Sequence, residues 1–555
     1  MPEPKKIRKI LAWIFGVIIL IFILGFIYLL VVSKTNPPSI SDKTALNWQR
    51  TEPGSGFYTL KNNWFRKSKS GLYELYVEGQ PFERGVVNGK LTEELIRLQE
   101  DYFNDQINLM VPSRFYRHFL KYVIGWFNRD LEKHVTEEDK EEIYGISTSA
   151  SEKYNYIGNN YQRILNYHAA HDIGHALQNF ALVGCTSFGT WGSRSADGTM
   201  IIGRNFDFYV GDHFSENKIV SFENPAEGFR FMSVTWAGFI GVVSGMNEKG
   251  LTVTINADKS DIPTGSATPV SLVAREILQY AGNISEAMAI AKKRKMFVSE
   301  SFLIGSAEDG KAVIIEKTPD SVGLYDPGKN EIICANHFQS RELGGLKSNK
   351  IQISQSASDY RYHRVEELLD ASKTNSLEQT VKILRDRQGI ENADIGLGNE
   401  KAINQLIAHH SIVFEPQKKL VWVSTGPWQL GEFVCYDLNK VFSLNGMKTN
   451  EEISDSNLNI PADSFLLTNQ YRLFLDFRRY KKEISDGIDV NPDSLILSNP
   501  NFYQSYQLAG NEMFKKKFYK TAEDYYRLAL SKEIATKNEE NDIRRQIEKC
   551  EEKLR

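Results

Sequence analysis

The chain has 555 residues, of which 41% are hydrophobic and 25% charged, and its formal net charge is −3 at pH 7. Acidic and basic residues are mixed along the chain, so a nucleic acid is not an expected partner. The four cysteines are widely spaced and match neither a disulfide framework nor a zinc knuckle. A length of this order allows a large core with a further appended part.

An uncharged apolar stretch near the N-terminus, residues 10–32, matches the ~20 residues needed to cross a bilayer. Lys5, Lys6, Arg8 and Lys9 precede it. This basic cluster predicts a cytoplasmic N-terminus. A secretory signal peptide is the alternative, but its apolar region runs only ~7–15 residues and ends in a small-x-small cleavage motif. We therefore predict a single-pass anchor, with the chain after Pro38 extracytoplasmic and, in a bacterium, periplasmic.

The next region is predicted to be mainly helical. A strand at residues 72–77 leads into helices over residues 91–180, and Thr136 resembles an N-cap followed by acidic first-turn residues. Residues 114–131 mix aromatic, apolar and basic side chains at helical spacing. We interpret them as a core-facing helix, with contact to a membrane surface as the alternative.

From Gly184 onward, short β-rich runs alternate with turn signals and helices. This pattern predicts antiparallel sheets covered by helices, an α+β arrangement. The predicted β-rich runs are residues 184–258, 302–338, 411–415 and 420–424, and the predicted helices are 269–293 with a second start at Asn283, 360–371, and one beginning near Ser376.

The last residues, from about 499, have small and aromatic side chains at the positions of a tetratricopeptide helix pair. Gly510, Ala522, Tyr526 and Ala529 carry this pattern, and Tyr506 precedes the glycine by one helical turn. One such unit is fewer than the roughly three that a free-standing solenoid needs. We expect the tail to pack on the preceding domain, and a generic amphipathic helix pair is the alternative.

The segment with the clearest chemistry begins at Cys185. A strand from Cys185 is predicted to turn at Asp197-Gly198 and to return through Arg204 to Asp207. A two-residue turn there brings the three functional side chains within a few rungs of one another. Because residues three apart on a strand face opposite sides, Arg204 and Asp207 can both face Cys185 only if a bulge or sharp twist intervenes.

A nucleophilic cysteine needs a base. His168, His171, His175, His337, His409 and His410 are candidates, although none has a recognised spacing from Cys185. The other candidate is the cysteine's own α-amine, which is free only if the Gly184–Cys185 bond has been cut. Its ordinary pKa of roughly 7.7–8.0 suits proton exchange near neutrality. Glycine before the nucleophile fits, since it tolerates the strained conformation that cleavage requires.

In this order, the motifs resemble the N-terminal-nucleophile cysteine hydrolases of the choloylglycine hydrolase, penicillin V acylase and acid ceramidase group. The closest branch is the autoproteolytic acyl-coenzyme A:6-aminopenicillanic acid acyltransferase family. The motifs are Gly79-x-Pro81-x-Glu83-x-Gly85-x-x-x-Gly89, Gly184-Cys185-Thr-Ser, Gly203-Arg204-Asn205-Phe206-Asp207, Gly245-Met246-Asn247-Glu248-Lys249-Gly250-Leu251, Ala335-Asn336, Asp359-Tyr-Arg361-Tyr-His-Arg364 and His410-Ser-Ile-Val-Phe-Glu-Pro416.

The resemblance implies a role for each matching residue. Cys185 is the expected nucleophile and, through its amine, the base, while Asp207 holds that amine and Arg204 steadies the thiolate. Asn256 and Asn336 are the expected oxyanion donors, Asn256 through its backbone and Asn336 through its side chain.

The family's second active-site arginine has two candidates in this chain. We expect Arg361, with Arg364 as the competitor. The fold that the resemblance implies is an αββα sandwich of two antiparallel sheets between helical layers, here preceded by a transmembrane helix and followed by a tetratricopeptide-like helical tail.

The expected reaction is cleavage of a linear amide in an N-acyl amine or N-acyl amino acid, through a thioester acyl-enzyme. Transfer of the acyl group to an amine is one alternative, a catalytically silent membrane-anchored scaffold is another, and a Cys–His hydrolase of the papain type is a third. The predicted divisions are a cytoplasmic N-terminus at 1–9, the anchor at 10–32, a linker at 33–70, a helical precursor region that becomes a small subunit at 71–184, the catalytic domain at 185–440, an extension at 441–498 and the tail at 499–555.

No cofactor is expected. His171-Asp172-x-x-x-His175 has a metal-ligand spacing on a helix, but the sequence offers no third ligand, so we predict no metal there. The expected partners are a small-molecule N-acyl amide and, through the anchor, a membrane. A protein that binds the tail is a further expectation.

Overall fold

The computed structural model describes residues 4–177, 184–209, 211–259 and 265–555. The described residues contain long helices at both ends and β-strands between them. The strands are β1 Thr51–Gly54, β2 Phe57–Leu60, β3 Asn63–Lys67, β4 Tyr73–Gly79, β5 Thr186–Thr190, β6 Ile201–Phe206, β7 Ile219–Pro225, β8 Phe231–Thr235, β9 Ser244–Asn247, β10 Leu251–Ala257, β11 Glu300–Ser306, β12 Lys311–Lys317, β13 Val322–Tyr325, β14 Glu331–Cys334, β15 His410–Glu415, β16 Leu420–Ser424 and β17 Phe433–Asp437.

Helices precede, separate and follow the strands in the sequence. They are α1 Pro4–Val32, α2 Pro81–Leu91, α3 Glu93–Met110, α4 Arg114–Phe127, α5 Glu137–Ser147, α6 Asn160–Leu177, α7 Val270–Tyr280, α8 Ile284–Lys293, α9 Lys347–Gln355, α10 Ser358–Ser372, α11 Leu377–Leu384, α12 Leu438–Val441, α13 Asn469–Ser485, α14 Pro492–Ser498, α15 Tyr503–Lys515, α16 Tyr519–Leu530 and α17 Lys537–Leu554.

The strands divide between two sheets, which we call the large and the small sheet. The large sheet has the order β1-β2-β3-β4-β7-β8-β9-β10-β11-β12-β13, and the small sheet has the order β14-β5-β6-β15-β16-β17. Neighbours are antiparallel except β4 and β7, which are parallel. This parallel pair joins the N-terminal strands to those that follow Cys185 in one sheet.

The alternation of side chains along each strand explains why the strands are buried on both faces. In β11, Phe302 and Ile304 lie in a core cluster shared with α7 and α8, whereas Leu303 between them lies in a second cluster. That second cluster also contains Ile202 of β6 and Phe414 of β15, so it joins the large sheet to the small one. Because successive side chains point to opposite faces, one apolar strand serves two cores. The protein is thus a mixed α/β structure.

Several predicted helix starts are confirmed by side-chain caps. Thr136 accepts a hydrogen bond from the Asp139 amide at the start of α5, and Asn283 accepts one from the Glu286 amide at the start of α8. Ser376 caps α11 in the same way. Each cap occupies one of the amides that a helix terminus leaves without an intrahelical partner.

The glycines of the first motif allow α2 to pack closely against α5. A Cβ on Gly85 would lie 2.0 Å from the Glu142 carbonyl oxygen, and one on Gly145 would lie 2.5 Å from the Val86 nitrogen. Both positions therefore require glycine. Behind this contact, Glu142 is buried and accepts hydrogen bonds from Arg84 at 2.6 Å and from Arg275 of α7 at 2.8 Å. The charges compensate one another across the predicted precursor and catalytic regions.

Two predictions about where strands lie are wrong. Residues 33–70 do not form a simple linker, because β1, β2 and β3 lie there and belong to the large sheet. Residues 420–424 are not the last strand, because β17 pairs with β16. The four missed strands are only four or five residues long, which is too short for their alternation of apolar and polar residues to be recognised.

The predicted two-residue turn after Cys185 is also wrong. A two-residue turn at Asp197-Gly198 would pair Ala196 with Thr199. Instead, the Ala196 amide donates to the Asn375 carbonyl at 2.8 Å, and β5 ends at Thr190. The connection from β5 to β6 is therefore a longer loop with a 3₁₀ turn at Gly192–Arg194. Hydrogen bonds to a segment distant in sequence determine the conformation of this loop.

The helix predicted over residues 114–131 ends at Phe127 and faces a core only at that end, where Phe127 packs against the cluster that contains Leu131; the rest of it does not, contrary to our interpretation. Of the α4 residues, all of which are described, Gly125 alone is buried. The helix lies beside α1, where the Phe26 and Tyr122 rings meet edge to face with centroids 5.7 Å apart. Beyond this contact with α1, Phe115, Tyr116 and Phe119 are each more than half exposed in the described protein.

The C-terminal helices pack on the rest of the protein, as expected. Tyr526 is buried against Gly510, where a Cβ would lie 2.7 Å from its ring, and the Asn399 side chain donates to the Glu533 carbonyl at 2.8 Å. Leu406 belongs to the same core cluster as the tail. The tetratricopeptide-like character of the α15–α16 pair stays a prediction.

Candidate active site

Cys185 lies directly before β5, between the start of that strand and the end of β6. The Gly184 amide donates to the Asp207 carbonyl at 3.0 Å, which continues the β5–β6 pairing beyond the last strand residues. The Cys185 side chain is 1% exposed. The described part of the uncleaved chain therefore encloses the sulfur.

Arg204 reaches Cys185 from the neighbouring strand. Its Nη2 lies 3.5 Å from the Cys185 Sγ, and its Nη1 donates to the Val243 carbonyl at 2.9 Å. Further hydrogen bonds go to the Ile255 carbonyl and the Ser244 hydroxyl. Because these acceptors fix the guanidinium, its charge is held beside the sulfur in either protonation state of the thiol.

Asp207 follows the end of β6, so the alternation of side chains along that strand does not determine which way the Asp207 side chain points. No bulge is needed for Arg204 and Asp207 to lie near Cys185, since β6 ends at Phe206. Among the described residues, neither carboxylate oxygen of Asp207 has a hydrogen-bond partner, and the side chain is fully buried. Burial raises its pKa to about 7, against the opposing effect of the Arg361 and Arg204 charges.

Burial also dominates the protonation of Cys185, the predicted nucleophile. It raises the pKa of the Cys185 thiol to about 11, and the Arg204 charge only partly offsets this. The thiol of the uncleaved chain is therefore neutral at pH 7. A thiol is a weak nucleophile compared with a thiolate, so attack by Cys185 needs a proton acceptor in the site.

The pKa of Asp207 predicts a pH-dependent stability. In a Cys185→Ala background, which keeps the chain intact, unfolding lets the Asp207 carboxyl ionise above its ordinary pKa of 3.8, whereas the folded carboxyl stays protonated up to about pH 7. The free energy of unfolding contributed by Asp207 is therefore fully present below about pH 4 and decreases by a few kcal/mol up to about pH 7.

The matched variant is Cys185→Ala with Asp207→Asn. Denaturant melts of the two proteins at several pH values give the difference between their unfolding free energies. The contributions of all other titrating groups cancel in this difference. We expect that difference to fall between pH 4 and 7 and to stay constant above. A difference independent of pH would mean that the folded carboxyl is ionised throughout.

Arg361 contacts both residues of the Gly184–Cys185 bond. Its Nη1 donates to the Gly184 carbonyl at 2.7 Å, to the Cys185 carbonyl at 2.7 Å and to the Thr186 hydroxyl at 2.8 Å. Its Nη2 donates to the Asn336 side-chain oxygen at 2.7 Å. The guanidinium, which is buried, thus connects the chain before and after Cys185 to a predicted oxyanion donor.

The competitor Arg364 lies elsewhere on α10. It pairs with Asp386 and Glu367, at 2.8 Å in each case. These carboxylates compensate its charge away from Cys185. The structure therefore places Arg361, and not Arg364, at the candidate site.

The two asparagines lie close to the same junction. The Asn336 Nδ2 donates to the Ala257 carbonyl at 2.8 Å, while the Asn256 Nδ2 donates to the Cys334 and Ala335 carbonyls at 3.1 and 2.9 Å. These bonds fix both side chains between β10 and β14. Their roles as oxyanion donors stay predictions.

Gln405 is a candidate that the sequence did not reveal. Its Nε2 donates to the Gly184 carbonyl at 2.7 Å, so this carbonyl has a second donor besides Arg361. A Cβ on Gly184 would lie 2.5 Å from that nitrogen. No motif marks Gln405, because it reaches the site from an irregular segment far from Cys185 in the sequence.

Four of the candidate histidines have other hydrogen-bond partners. His168 contacts the Ile164 carbonyl and the Ile240 amide, His337 contacts Ser358, and His409 and His410 contact each other. Burial lowers the pKa of each of these four histidines. No hydrogen bond joins any of the four to the Cys185 sulfur.

The remaining two, His171 and His175, have side chains outside the described residues. The proposed metal-ligand spacing at these positions is therefore not tested. Asp172 between them is buried, and its Oδ2 accepts a hydrogen bond from the Val270 amide at 2.9 Å. Among the residues described, no group of three or more His, Cys, Asp or Glu side chains could hold a metal ion.

One part of the chain matches a known family model. Residues 193–427 match the family model of acyl-coenzyme A:6-aminopenicillanic acid acyl-transferase. This match confirms the acyl-transferase branch of the resemblance for these residues. It begins after Cys185, so it does not test the nucleophile.

Two curated proteins are similar over part of their length. An uncharacterized protein of Archaeoglobus fulgidus is 26% identical over 44% of this chain and 43% of its own length. The protein dcd1B of Dictyostelium discoideum is 22% identical over 45% of this chain and 51% of its own length. The chain thus spans about half the length of the curated relatives it matches.

Solved structures of two hydrolases are also similar. The Caenorhabditis elegans ortholog of N-acylethanolamine-hydrolyzing acid amidase is 17% identical over 42% of this chain and 93% of that chain, with a TM-score of 0.29. A conjugated bile acid hydrolase variant from Clostridium perfringens is 14% identical over 48% of this chain and 97% of that chain, with a TM-score of 0.33.

Proposed function

We propose that this protein is an amidohydrolase that matures by cleaving its own Gly184–Cys185 bond, after which Cys185 acts as an N-terminal nucleophile. The observation that carries the proposal is the environment of the Gly184 carbonyl. Arg361 and Gln405 each donate to its oxygen at 2.7 Å, while Arg204 lies 3.5 Å from the Cys185 sulfur. Donors of this kind stabilise the negative charge that develops when a carbonyl is attacked.

The cleavage step follows from this geometry. The Cys185 sulfur loses its proton and attacks the Gly184 carbonyl carbon, forming a C–S bond while the carbonyl oxygen becomes an oxyanion beside Arg361 and Gln405. The C–N bond then breaks, the nitrogen takes a proton, and Gly184 is left as a thioester on sulfur. Water hydrolyses this thioester, which gives a Gly184 carboxylate, the thiol and a free Cys185 amine. Asp207, with a pKa of about 7 and unbonded oxygens, is the proposed proton acceptor.

The two products are expected to remain together. The strand β4 precedes the cleavage point and β7 follows it, yet the two strands pair over their whole lengths in the large sheet. Arg275 and Glu142 form a buried ion pair at 2.8 Å across the same division. The precursor region would therefore stay bound as a small subunit.

In the matured enzyme, the α-amine of Cys185 would be the base and Asp207 would hold it. The thiolate attacks the substrate amide carbonyl, the oxyanion is stabilised by Asn256 and Asn336, and the leaving amine takes a proton from the α-ammonium. Water then attacks the thioester and releases a carboxylic acid. We propose an N-acyl amine or N-acyl amino acid with an apolar acyl group as substrate.

Acyl transfer to an amine is the second candidate reaction. The match of residues 193–427 to a family model named for an acyl-transferase favours it. The first half-reaction is the same, and the two reactions differ only in whether water or an amine attacks the thioester.

The contacts of the two sheets support the proposed αββα arrangement. The helices α7 and α8 share a core with the large sheet, α11 shares one with the small sheet, and the two sheets share a third. We also propose that α1 anchors the protein in a membrane with the catalytic domain extracytoplasmic. Residues Arg8–Val32 form one helix apolar and long enough to cross a membrane.

The test of the proposed function is the intact mass and N-terminal sequence of the purified full chain, combined with an assay. We expect two chains that co-purify, one beginning at Cys185, and release of the amine from an N-acyl amide. Adding a second amine and measuring its acylation separates hydrolysis from transfer. An unbroken chain that still hydrolyses the amide would contradict the proposal, and an unbroken chain without activity would favour the scaffold.

Gln405 gives a prediction specific to the cleavage step. Gln405→Leu removes one of the two donors to the Gly184 oxygen and keeps much of the side-chain volume. We expect cleavage to slow by about 10²–10³-fold. The rate is measured by mass spectrometry after synthesis in a cell-free system with membranes.

The matched control is Gln429→Leu, which also replaces a fully buried glutamine but contacts the Leu384 carbonyl instead of the cleavage junction. It should be cleaved at the rate of the unchanged protein. If Gln405→Leu were cleaved equally fast, its hydrogen bond would have no part in the reaction.

A further inference from the structure

An apolar surface on α4 and at the end of α3 remains uncovered in the described protein. Phe115 is 79% exposed and Phe119 is 53% exposed, although both belong to residue types that cores normally bury. We call this surface the α4 patch, and its members are Leu109, Phe115, Tyr116, Phe119, Val123 and Trp126. Four of them recur along α4 at helical spacing and form one face. A contiguous surface of this kind marks a binding surface.

The charges around the α4 patch have one sign. Arg114, Arg117 and Lys121 alternate with its aromatic residues along α4. No acidic residue lies between Asp105 and Asp130. A helix with an apolar face and basic flanks is typical of helices that lie in a membrane interface. Its charge complements the phosphate groups of anionic lipids.

The contacts between α4 and α1 indicate how deep α4 lies in a membrane that α1 crosses. The Tyr122 ring meets Phe26, which lies inside the apolar part of α1, with centroids 5.7 Å apart. Gly125 lies against Ser33, where a Cβ would be only 2.5 Å from the serine Cβ. From Ser33 back to Phe26, a helix advances about 10 Å toward the middle of the span. When α1 crosses a bilayer, Tyr122 and Gly125 of α4 therefore lie beside the last two turns of the span, at the boundary between the acyl chains and the headgroups.

Other contacts fix α1 to the folded domain at the same place. The Asn159 side chain donates to the Thr35 carbonyl at 2.8 Å, and the Gln162 side chain donates to the Ser33 carbonyl. The end of α1 is thus held by the α6 helix and its preceding loop. This holds α4 beside the span without a flexible connection.

We propose that the α4 patch is embedded in the leaflet from which α1 emerges, with Phe115 and Phe119 among the acyl chains and Arg114, Arg117 and Lys121 at the lipid phosphates. The proposal rests on the membrane anchoring of α1 and not on the cleavage reaction. It makes the catalytic domain a bilayer-bound enzyme rather than a domain on a tether.

The helix α3 connects this surface to the short turn that follows β6. Leu109 lies at its membrane end, while Tyr102, two turns earlier, stacks on His213 with ring centroids 4.6 Å apart. His213 belongs to a short turn that follows Asp207, and Phe214 beside it packs against Trp236.

The experiment places a nitroxide label at Phe115→Cys in the full chain, reconstituted in nanodiscs of zwitterionic and anionic phospholipid. The label's collision rates with molecular oxygen, which concentrates in the bilayer, and with a nickel chelate, which stays in water, are measured by power saturation. The four native cysteines are buried, and unsubstituted protein treated with the same label gives the background. The matched control is Leu467→Cys, a position 81% exposed in the C-terminal part.

We expect the label at position 115 to collide at least several-fold more with oxygen than with nickel, and the label at 467 to show the reverse. Equal behaviour at the two positions would overturn the proposal, because the patch would face water. Low collision with both reagents would also overturn it, because a protein would cover the patch. Intact mass of the same samples shows whether Gly184–Cys185 is cut, so failure of the proposed function is scored separately.

Discussion

Replacing Cys185 with alanine abolishes both cleavage at Gly184–Cys185 and turnover of N-acyl amides. In the proposed reaction the sulfur is the group that attacks the Gly184 carbonyl, and Arg204 lies 3.5 Å from it. Cys185→Ser retains slow cleavage, because a hydroxyl is less acidic and less nucleophilic than a thiol. Intact mass of the purified chains shows the ratio of cut to uncut protein, and amine release reports turnover.

Cys435→Ala is the control for this pair. Cys435 is a buried free cysteine on β17, remote from the cleavage junction. The small loss of packing lowers stability but leaves cleavage intact. Normal cleavage of Cys185→Ala would rule out the proposed nucleophile, whatever the activity of the product.

Arg361→Lys is expected to reduce the cleavage rate by about 10³-fold or more. The guanidinium makes four hydrogen bonds that hold Gly184, Cys185, Thr186 and Asn336 in one arrangement. An ammonium group cannot reproduce the forked geometry, although it keeps the positive charge. The charge that lowers the pKa of Asp207 would remain, so the loss would report on geometry.

The comparison is Arg364→Lys, on the same helix one turn later. Arg364 pairs with Asp386 and Glu367 instead of the junction. We expect this variant to melt at a lower temperature and to be cleaved at the normal rate. If Arg364→Lys blocked cleavage and Arg361→Lys did not, the assignment of the family's second arginine would have to be exchanged.

The membrane proposal also changes how a substrate would reach the site. Cys185 is buried in the uncleaved chain, and the basic and aromatic surface of α4 lies on the precursor side of the cleavage point. Cleavage at Gly184–Cys185 would give the segment before it a free end, while β4 and β7 keep the two chains together. The proposed enzyme would thus mature on the surface from which it draws its substrate.

Local patterns in the sequence predicted the elements that depend on local physics. Thr136, Asn283 and Ser376 cap helices at the expected places, since capping involves only residues within one turn. The ordered motifs indicated the family, and the closeness of Arg204 to Cys185 followed from the pairing of two neighbouring strands. The apolar stretch at residues 10–32 lies within one helix.

Tertiary contacts decided the rest. Ala196 hydrogen-bonds Asn375, which lengthened the loop after Cys185, and Gln405 reaches the Gly184 carbonyl across 221 positions of sequence. No local pattern records such pairings. The exposure of α4 was missed for the same reason: helical spacing shows that a face is apolar, but only the packing of the whole chain shows whether protein covers it. The sequence by itself indicated the acyl-transferase resemblance that residues 193–427 match, the candidate nucleophile and most of the helices. The donors at the junction and the surface on α4 depended on contacts between distant segments.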